Sequence, residues 1–478
     1  MTALDYLALF PPLLMAVFGC ATLLVDFITR HKQLLVLLNV AGLVLMAYAY
    51  VRQWQTVSAH GDFTALQGAV AVDSLAIFTN VIVWIATAGL LGISYRYLEF
   101  VEEHRGEYYA VALFAQCGMY FMTASVDLVA LFIGLELTAI SFYILVGFTR
   151  RDRQANEAAL KYLLLGALSS AFVVYGFSLL YGIAGSTALS TISSAVHQRA
   201  PFDPFVLLGI LTATVGLLFK ISAVPFHTWA PDAYEGAPTP VTAYLSVASK
   251  IAAFAVLIRI LWLDLPFTRP VWEPVLVAAA VLSLTIGSIA ALTQDRLKRL
   301  FAYSSIAHAG YILLGFVAGT PLALRGVYVY LLIYAVMNFG AFAVLASLRR
   351  HGIFGDNLSD LRGLSQTHPI HSALFVVLLL SLAGMPPTAG FIAKYFIFAA
   401  LIETGHFALA VVAAVYAAIS LYIYFRLVRE MYLSRAETRE PIAASLGVRL
   451  SLAVASAITV LLGVFPEPLL HLLTGGSR

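Results

Sequence analysis

The chain has 478 residues, of which 61% are hydrophobic and 11% charged, and its mean hydropathy is +0.90. A soluble domain carries about 25% charged residues, so the composition excludes a soluble protein and predicts an all-α polytopic membrane protein. The net charge of +3 gives no reason to expect a nucleic-acid partner. Two cysteines, Cys20 and Cys117, exclude a disulfide framework and an iron–sulfur site built from this chain alone.

Apolar stretches long enough to cross a bilayer recur to the end of the chain and predict fourteen transmembrane spans. In chain order the predicted spans cover residues 5–29, 33–51, 73–95, 108–125, 127–149, 157–183, 204–230, 240–262, 272–293, 301–319, 322–348, 371–402, 406–428 and 449–471. The connections are short and predict no soluble domain. The longest polar breaks lie near residues 52–72, 96–107, 184–203, 349–370 and 429–448.

The basic residues outside the predicted membrane core are distributed unevenly between the two faces. One face carries eighteen Lys and Arg residues and the other six. Because cytoplasmic loops are enriched in Lys and Arg, the first face is predicted to be the inner one. Both chain termini then face outside, as an even number of spans requires. The predicted location is a bacterial inner membrane, with the termini on the periplasmic side.

Four of the six lysines fall within predicted spans: Lys161, Lys220, Lys250 and Lys394. The arginines, in contrast, fit loops or the ends of spans, with Arg259 the least clear of them. An arginine keeps its proton, whereas a desolvated lysine can release one near neutral pH. Lysines in the membrane are therefore suited to carrying protons rather than only holding a charge.

Glu136 in span 5 and Lys250 in span 8 are predicted to lie near the middle of the bilayer, about 14 and 15 Å deep at ~1.5 Å per residue. A charge at that depth costs at least about 2.5–3.5 kcal/mol on insertion scales, so these residues indicate a functional site. A buried structural ion pair is the alternative. Lys161 is one turn inside predicted span 6, where its long side chain could instead extend to the inner surface.

Two predicted spans are interrupted close to a lysine. In span 7, Pro225 follows Lys220 by five residues, and in span 12 the sequence Gly-Met-Pro-Pro at 384–387 precedes Lys394. Non-helical backbone at membrane depth occurs where it lines a hydrated cavity or is buried in protein. Broken helices in matching positions of two halves point to an ion site in a transporter built from repeats. Ordinary proline kinks remain the alternative.

The spacing of the two breaks predicts a duplicated five-helix unit, with helices 4–8 repeated as helices 9–13. An odd number of helices repeated in tandem inverts its orientation. The predicted regions are residues 1–107 for helices 1–3, 108–262 for the first repeat, 272–430 for the second repeat and 449–478 for helix 14. His308, in predicted span 10, has an ordinary pKa suited to a relay between lysines, although a hydrogen-bonded packing role is equally compatible with its position.

Three segments resemble one family of membrane subunits. "VPFHTWAPDAYEGAPTPVTAYLSVASK" at 224–250 resembles the signature of the N-type antiporter-like subunit of respiratory complex I, the NADH:quinone oxidoreductase. "GMPPTAGFIAKYFIF" is similar to the broken twelfth helix of that subunit, and "DLVALFIGLELTAISFYIL" to its fifth. The resemblance covers the whole chain. A departure is Ala393, where the family pattern has glycine before the lysine.

The resemblance implies a proton channel of the membrane arm, within a translocase. Glu136 would be the ionisable glutamate of helix 5, Lys220 its partner on broken helix 7, and Lys161 the lysine that modulates the pair. Lys250 matches the central relay lysine, His308 a polar bridge, and Lys394 the residue that exchanges protons with the outer side. No cofactor is implied in this chain, with flavin, iron–sulfur clusters and quinone held by other subunits. The implied partners are other membrane-arm subunits, including a sister antiporter-like subunit, and the lipid bilayer.

Three alternative functions fit the sequence less well than a proton channel of complex I. A subunit of a multi-subunit Na⁺/H⁺ antiporter shares the fold, but the "DAYEGAPTPVTAYLS" stretch argues against it. A non-pumping scaffold would gain nothing from four intramembrane lysines. A haem-binding cytochrome needs axial histidines on facing helices, and only His308 lies well inside a predicted span.

Overall fold

The computed structural model of the chain describes residues 2–29, 32–101, 103, 105–200, 202–349, 355–435 and 445–467. Four arginines that belong to the predicted loops and the C-terminus, Arg30, Arg350, Arg439 and Arg478, lie outside these ranges. The last eleven residues of the predicted 449–478 region also lie outside them.

The described chain is almost entirely helical, and a helix or a pair of helices occupies the position of every predicted span. The helices are α1 (Ala3–Ile28), α2 (Lys32–His60), α3 (Ser74–Phe100), α4 (Gly106–Ala124), α5 (Leu128–Val146), α6 (Arg153–Ala184), α7 (Leu189–His197), α8 (Pro204–Lys220), α9 (Trp229–Gly236), α10 (Thr239–Asp264), α11 (Arg269–Leu292), α12 (Leu297–Ala318), α13 (Pro321–Leu348), α14 (Pro369–Ala383), α15 (Ala389–Glu403), α16 (Phe407–Leu433) and α17 (Leu446–Val464). Short helical turns cover Pro266–Thr268, Leu358–Leu361 and Leu364–Thr367.

Eleven of the described helices are long and apolar enough to cross a membrane, which makes this an all-helical polytopic membrane protein. Two further apolar helices, α8 and α14, are shorter because each is the first half of an interrupted span. The polar connection at 52–72 also contains a small antiparallel hairpin, β1 (Phe63–Ala65) and β2 (Val70–Val72), with Phe63 opposite Val72. The hairpin and α7, in the predicted loop at 184–203, were not predicted from the sequence.

Capping residues explain where several helices begin. Asp127 precedes α5 and accepts hydrogen bonds from Val129 N and Ala130 N at 2.9 and 3.1 Å. Asp203 does the same for α8, whose first residue is Pro204. These side chains satisfy backbone donors that a helix leaves unpaired at its first turn. Asp127 is therefore fixed by a local structural role.

The chain divides into two compact units. Unit 1 comprises Met1–Leu91, Glu103–Ile221 and Ala248–Val275, and unit 2 comprises Gly92–Glu102, Ser222–Val247 and Leu276–Arg478. In unit 1, α6 packs against α8, α4 packs against α5 and α1, and the second half of α10 packs against α4 and α8. In unit 2, α13 packs against α12, α14, α15 and α17, and α12 also contacts α9 and α15.

Both predicted interruptions are present. Helix α8 ends at Lys220, and Ser222, with a positive φ of 60°, lies in the turn before α9. Helix α14 ends at Ala383, and Gly384 has a φ of 86° before α15 begins at Ala389. The Gly384 N–H donates to Leu380 O, so this glycine ends the helix in the left-handed conformation that glycine adopts most readily.

Candidate functional site

Glu136 lies on α5, eight residues from the start of that helix, and is half-buried. Its Oε1 accepts a hydrogen bond from the Ser170 hydroxyl on α6. The neighbouring Ser169 hydroxyl donates to Gly216 O on α8 at 2.9 Å. Helix α6 therefore uses two consecutive serines, one bonded to the glutamate and the other to the helix that carries Lys220.

Lys220 is the last residue of α8 and is only 6% exposed. Its Nζ is buried and has no hydrogen-bond partner among the residues that the structure describes. The carboxylate of Glu136 is bonded to Ser170 instead. In this structure the predicted Glu136–Lys220 pair is therefore not hydrogen-bonded.

Lys161 occupies a more open position than the other lysines of unit 1. Helix α6 begins at Arg153, so Lys161 lies two turns into the helix rather than the single turn expected from the sequence. Its Nζ forms an ion pair with Glu157 Oε1 at 2.9 Å, and nearly half of its side chain is exposed. The geometry of this chain agrees with the sequence-based alternative that the side chain extends toward a surface.

Tyr143 is a residue of this region that the sequence reasoning missed. Its hydroxyl is buried without a hydrogen-bond partner among the described residues and lies against Gly166, where an added Cβ would be only 2.0 Å from it. Gly166 is one helical turn before Ser170 on α6. The sequence does contain a signal for Tyr143, because it follows Glu136 by about two helical turns. This spacing places both residues on the same face of α5.

Lys250 is 2% exposed and lies on a helix that is buried over most of its length, although Leu263 near its end is exposed. It directly follows a π-helical segment, Leu245–Ser249, and a second π-helical segment covers Ile258–Asp264. Such wide turns occur often at functional sites, where they change the direction in which side chains point. Their presence in α10 could not be predicted from hydropathy.

His308 of unit 2 is at the centre of a cluster of tyrosines. It lies eleven residues into α12, deeper than the seven predicted, because α12 begins four residues earlier than expected. His308 is 3% exposed, and its Nδ1 is hydrogen-bonded to Tyr330 Oη at 2.8 Å. Its Nε2 is 3.4 Å from Tyr424 Oη, which is in turn hydrogen-bonded to Ser304. Both imidazole nitrogens thus have hydroxyl partners.

A second polar group in unit 2 extends this cluster along α13. Tyr334 Oη is hydrogen-bonded to Ser305 Oγ at 2.7 Å and donates to Ser246 O at 3.1 Å. Asn338 Nδ2 donates to Ser246 Oγ at 2.8 Å and to Tyr334 Oη at 3.1 Å. A buried chain of hydroxyl and amide groups of this kind can reorient its hydrogen bonds, which is a requirement for passing protons.

Lys394 lies on α15 and is 4% exposed. Its Nζ donates to Ala383 O at 2.7 Å and is 3.4 Å from Leu382 O, two carbonyl groups at the end of α14. The same Nζ lies 4.7 Å from the centroid of the Tyr311 ring. Unpaired carbonyls at a helix C-terminus carry partial negative charge, so the break supplies the polar partners of this buried amine.

Beyond the break in α8–α9, an ion network joins α9 to the start of α12. Arg299 Nη1 contacts Asp232 Oδ1 and Glu235 Oε2, both at 2.9 Å, and Arg296 Nη1 contacts Glu235 Oε1 at 2.8 Å. Lys298 Nζ donates to Ala237 O at 3.1 Å. Among the residues with described coordinates, no group of three His, Cys, Asp or Glu side chains is arranged to hold a metal ion.

The family model described as "NADH:quinone oxidoreductase/Mrp antiporter, TM" matches residues 125–420. The NADH-quinone oxidoreductase subunit N 2 of Solibacter usitatus is 51% identical to this chain, over 98% of the chain and 96% of that protein. The chain belongs to the subunit N family of NADH-quinone oxidoreductase. As a member of this family it is an antiporter-like membrane subunit of a translocase complex, so the predicted resemblance is confirmed.

Solved structures agree with this assignment. A chain of respiratory complex I from Thermus thermophilus with bound aureothin has a TM-score of 0.82 and 33% identity, covering 97% of this chain and 98% of that one. A chain of the Mrp complex from Dietzia sp. DQ12-45-1b has a TM-score of 0.85 at 21% identity, covering 100% of this chain and 97% of that one. The second likeness shows the fold alone. The sequence identity to subunit N separates this chain from the antiporter alternative.

Proposed function

We propose that this subunit carries protons across the membrane through six ionisable residues: Glu136, Lys161, Lys220, Lys250, His308 and Lys394. The single observation that supports this most is the burial of three lysines, Lys220, Lys250 and Lys394, to 6% exposure or less. Two of them, Lys220 and Lys394, lie beside the break of an interrupted helix. A charge in such a place is costly, and the cost is expected where the residue exchanges a proton.

In the proposed mechanism, Glu136 and Lys220 form an ion pair that opens and closes as protons pass. The hydrogen bond from Ser170 to Glu136 is compatible with the open form, in which Lys220 Nζ has no hydrogen-bond partner among the described residues. Closing the pair stabilises the protonated lysine, and opening it favours release of its proton, because an opposite charge favours the charged form. Lys161 modulates this pair, and Lys250 and His308 carry protons toward Lys394.

The proposed architecture has fourteen transmembrane spans, with helices 4–8 and 9–13 forming two inverted repeats. The eleven long apolar helices and the two interrupted spans that begin with α8 and α14 account for thirteen of these spans. The fourteenth is α4, a 19-residue helix at the position of the predicted span 108–125. The proposed orientation places both termini outside a bacterial inner membrane. The uneven distribution of Lys and Arg and the bacterial relatives support this orientation and location.

The proposed partners are other membrane-arm subunits of the complex, including a sister antiporter-like subunit. Flavin, iron–sulfur clusters and quinone would be held by other subunits, and quinone reduction there would drive the proton transfers in this one. The apolar side chains exposed along α1, α2 and α5, among them Phe27, Leu37 and Ile133, support a chain surrounded by lipid and neighbouring subunits.

Glu136→Gln in the complete complex tests the proposed function. The substitution keeps the hydrogen-bonding shape but removes the charge that Lys220 needs as a partner. In sealed membrane vesicles we expect NADH oxidation and proton pumping to fall together, by about tenfold or more if general acid–base transfer at this residue is lost. The measurements are the rate of NADH oxidation and the rate at which the membrane potential and pH gradient form, each normalised to the amount of assembled complex.

Glu403→Gln is the matched control, since Glu403 is an exposed carboxylate at the end of α15 and has no place in the proposed path. It should pump like the wild type. The amount of assembled complex is checked on a native gel for both variants. Normal pumping by fully assembled Glu136→Gln complex would show that this carboxylate has no part in proton transfer.

A further inference from the structure

We propose that Tyr311 is a positioning residue for Lys394, and that the face of its aromatic ring holds the protonated amine at the break between α14 and α15. This inference rests on the proposed proton-carrying function of Lys394 and adds to it the group that holds the cation in place. Neither the sequence pattern nor the resemblance assigns a role to Tyr311.

Two backbone carbonyls and one aromatic ring surround Lys394 Nζ. A lysine ammonium has three N–H donors and no acceptor. Ala383 O lies 2.7 Å from Nζ and Leu382 O 3.4 Å from it, on one side. The Tyr311 ring lies 4.7 Å from it, measured to the centroid. This distance is within the ~6 Å over which an aromatic ring attracts a cation.

The lysine side chain is held against the break by the shape of the backbone. A Cβ at Gly384 would lie 2.7 Å from Lys394 Cδ and 3.1 Å from Nζ. Glycine at this position therefore lets the aliphatic part of the lysine lie directly on the turn. This close approach brings the amine to the α14 carbonyls and the Tyr311 ring.

Tyr311 is itself fixed by contacts that do not involve the lysine. Its hydroxyl donates to Ala413 O on α16 at 3.2 Å. Its ring stacks on that of Tyr330 with centroids 6.4 Å apart. The hydroxyl and the ring face are therefore used for different purposes, since the hydroxyl anchors the residue and the ring face contacts the amine.

Tyr311 also links Lys394 to His308. The two aromatic residues are three positions apart on α12, and their ring centroids are 6.3 Å apart. The titratable groups around this position are His308 on α12, Tyr330 and Tyr334 on α13, Tyr424 on α16 and Lys394 on α15. Tyr311 thus lies near both residues, and the attraction of its ring face for a cation favours the protonated form of the Lys394 amine.

Tyr311→Leu and Tyr311→Phe test this inference in the complete complex. Phenylalanine keeps the ring face, so pumping and its pH profile should stay close to the wild type. Leucine removes the attraction for the ammonium while keeping an apolar side chain. The alkaline limb of the pumping profile should then move to lower pH by about one unit, since less of the amine stays protonated at a given pH.

Equal effects of phenylalanine and leucine, or an unshifted pH profile in an assembled Tyr311→Leu complex, would overturn the inference. Normal pumping by Lys394→Ala alone would instead contradict the proposed function of Lys394, so the two failures are distinguishable.

Discussion

At the scale of single residues, the buried amine of Lys394 takes its hydrogen-bond acceptors from the C-terminal end of α14, where the helix is interrupted. An intact helix would use the carbonyls of Leu382 and Ala383 for its own N–H groups. The break leaves them available, and both lie within 3.4 Å of Nζ. Lys220 is the last residue of α8, but its Nζ has no hydrogen-bond partner among the described residues. Both lysines thus lie beside the C-terminal end of a half-helix, where the backbone dipoles favour a cation, and only Lys394 is hydrogen-bonded there.

We predict that Lys394→Arg abolishes coupled proton pumping as completely as Lys394→Ala does. Arginine keeps the positive charge and the approximate length of lysine, but it does not release its proton at any pH that the protein tolerates. The measurement is the membrane potential and pH gradient formed per NADH oxidised in vesicles, with subunit content determined on a native gel. An arginine variant that pumps like the wild type, beside an inactive alanine variant, would reduce Lys394 to a structural cation.

At the scale of secondary-structure elements, Arg259 joins three parts of unit 1. It lies in the π-helical segment Ile258–Asp264, and its side chain is 4% exposed. Its Nη1 and Nη2 contact the two oxygens of Asp73, just before α3, at 2.9 and 3.1 Å. Its Nη2 also donates to Thr123 O at 2.9 Å, near the end of α4. Partial burial and the nearby carboxylate of Asp73 raise the pKa of Asp62 in the loop before β1.

We predict that Arg259→Leu destabilises the subunit by about 3 kcal/mol, because it leaves a largely buried carboxylate without its partner. Thermal denaturation of the purified complex, followed by loss of this subunit on a native gel, measures the effect. The double variant Arg259→Leu/Asp73→Leu should be more stable than Arg259→Leu, since no unpaired charge remains.

Arg325→Leu is the control for this prediction. It removes an arginine on α13 with no ion pair assigned among the described residues, so it should change the denaturation temperature little. If Arg259→Leu were as stable as the wild type, or if the double variant were the least stable of the set, the pair would not be the connection that holds these elements together.

At the scale of the whole molecule, orientation in the membrane follows from the loops rather than from the buried charges. Eighteen Lys and Arg residues lie on one predicted face and six on the other, whereas the lysines within the helices contribute nothing to this difference. A bias of this size in short loops sets the direction of insertion. The orientation and the proposed proton path thus depend on separate sets of basic residues.

We predict that a cysteine at Ser477 reacts with a membrane-impermeant thiol reagent applied to intact spheroplasts and that one at Ser434 does not. Ser477 lies outside the described residues, and Ser434 follows the end of α16. The background carries Cys20→Ala and Cys117→Ala, because one of the native cysteines is exposed. Reaction at Ser434 alone would reverse the proposed orientation, and reaction of both after permeabilisation shows that both sites are accessible.

The sequence alone identified the charged residues of the apolar segments and where two spans are interrupted. Both follow from local chemistry: charged residues are rare in apolar segments, and a sequence such as Gly-Met-Pro-Pro favours a break in a helix, although single prolines such as Pro274 also lie within uninterrupted helices. Lys220 and Lys394 were therefore found beside their breaks without a structure. Capping residues such as Asp127 are also local, because the side chain bonds to its own next turn.

Only the tertiary structure decided which groups surround those residues. Tyr330, Tyr334 and Tyr424 have no special signature in the sequence, and they meet His308 only because α12, α13 and α16 pack together in unit 2. Tyr143 and Ser170 likewise lie on different helices of unit 1. Hydropathy indicates that a segment is buried, but it does not indicate which helix packs against each of its faces. The packing partners depend on contacts between helices that are far apart in the chain. The local sequence pattern thus identifies the titratable groups, whereas the packing of the helices determines their hydrogen-bond partners.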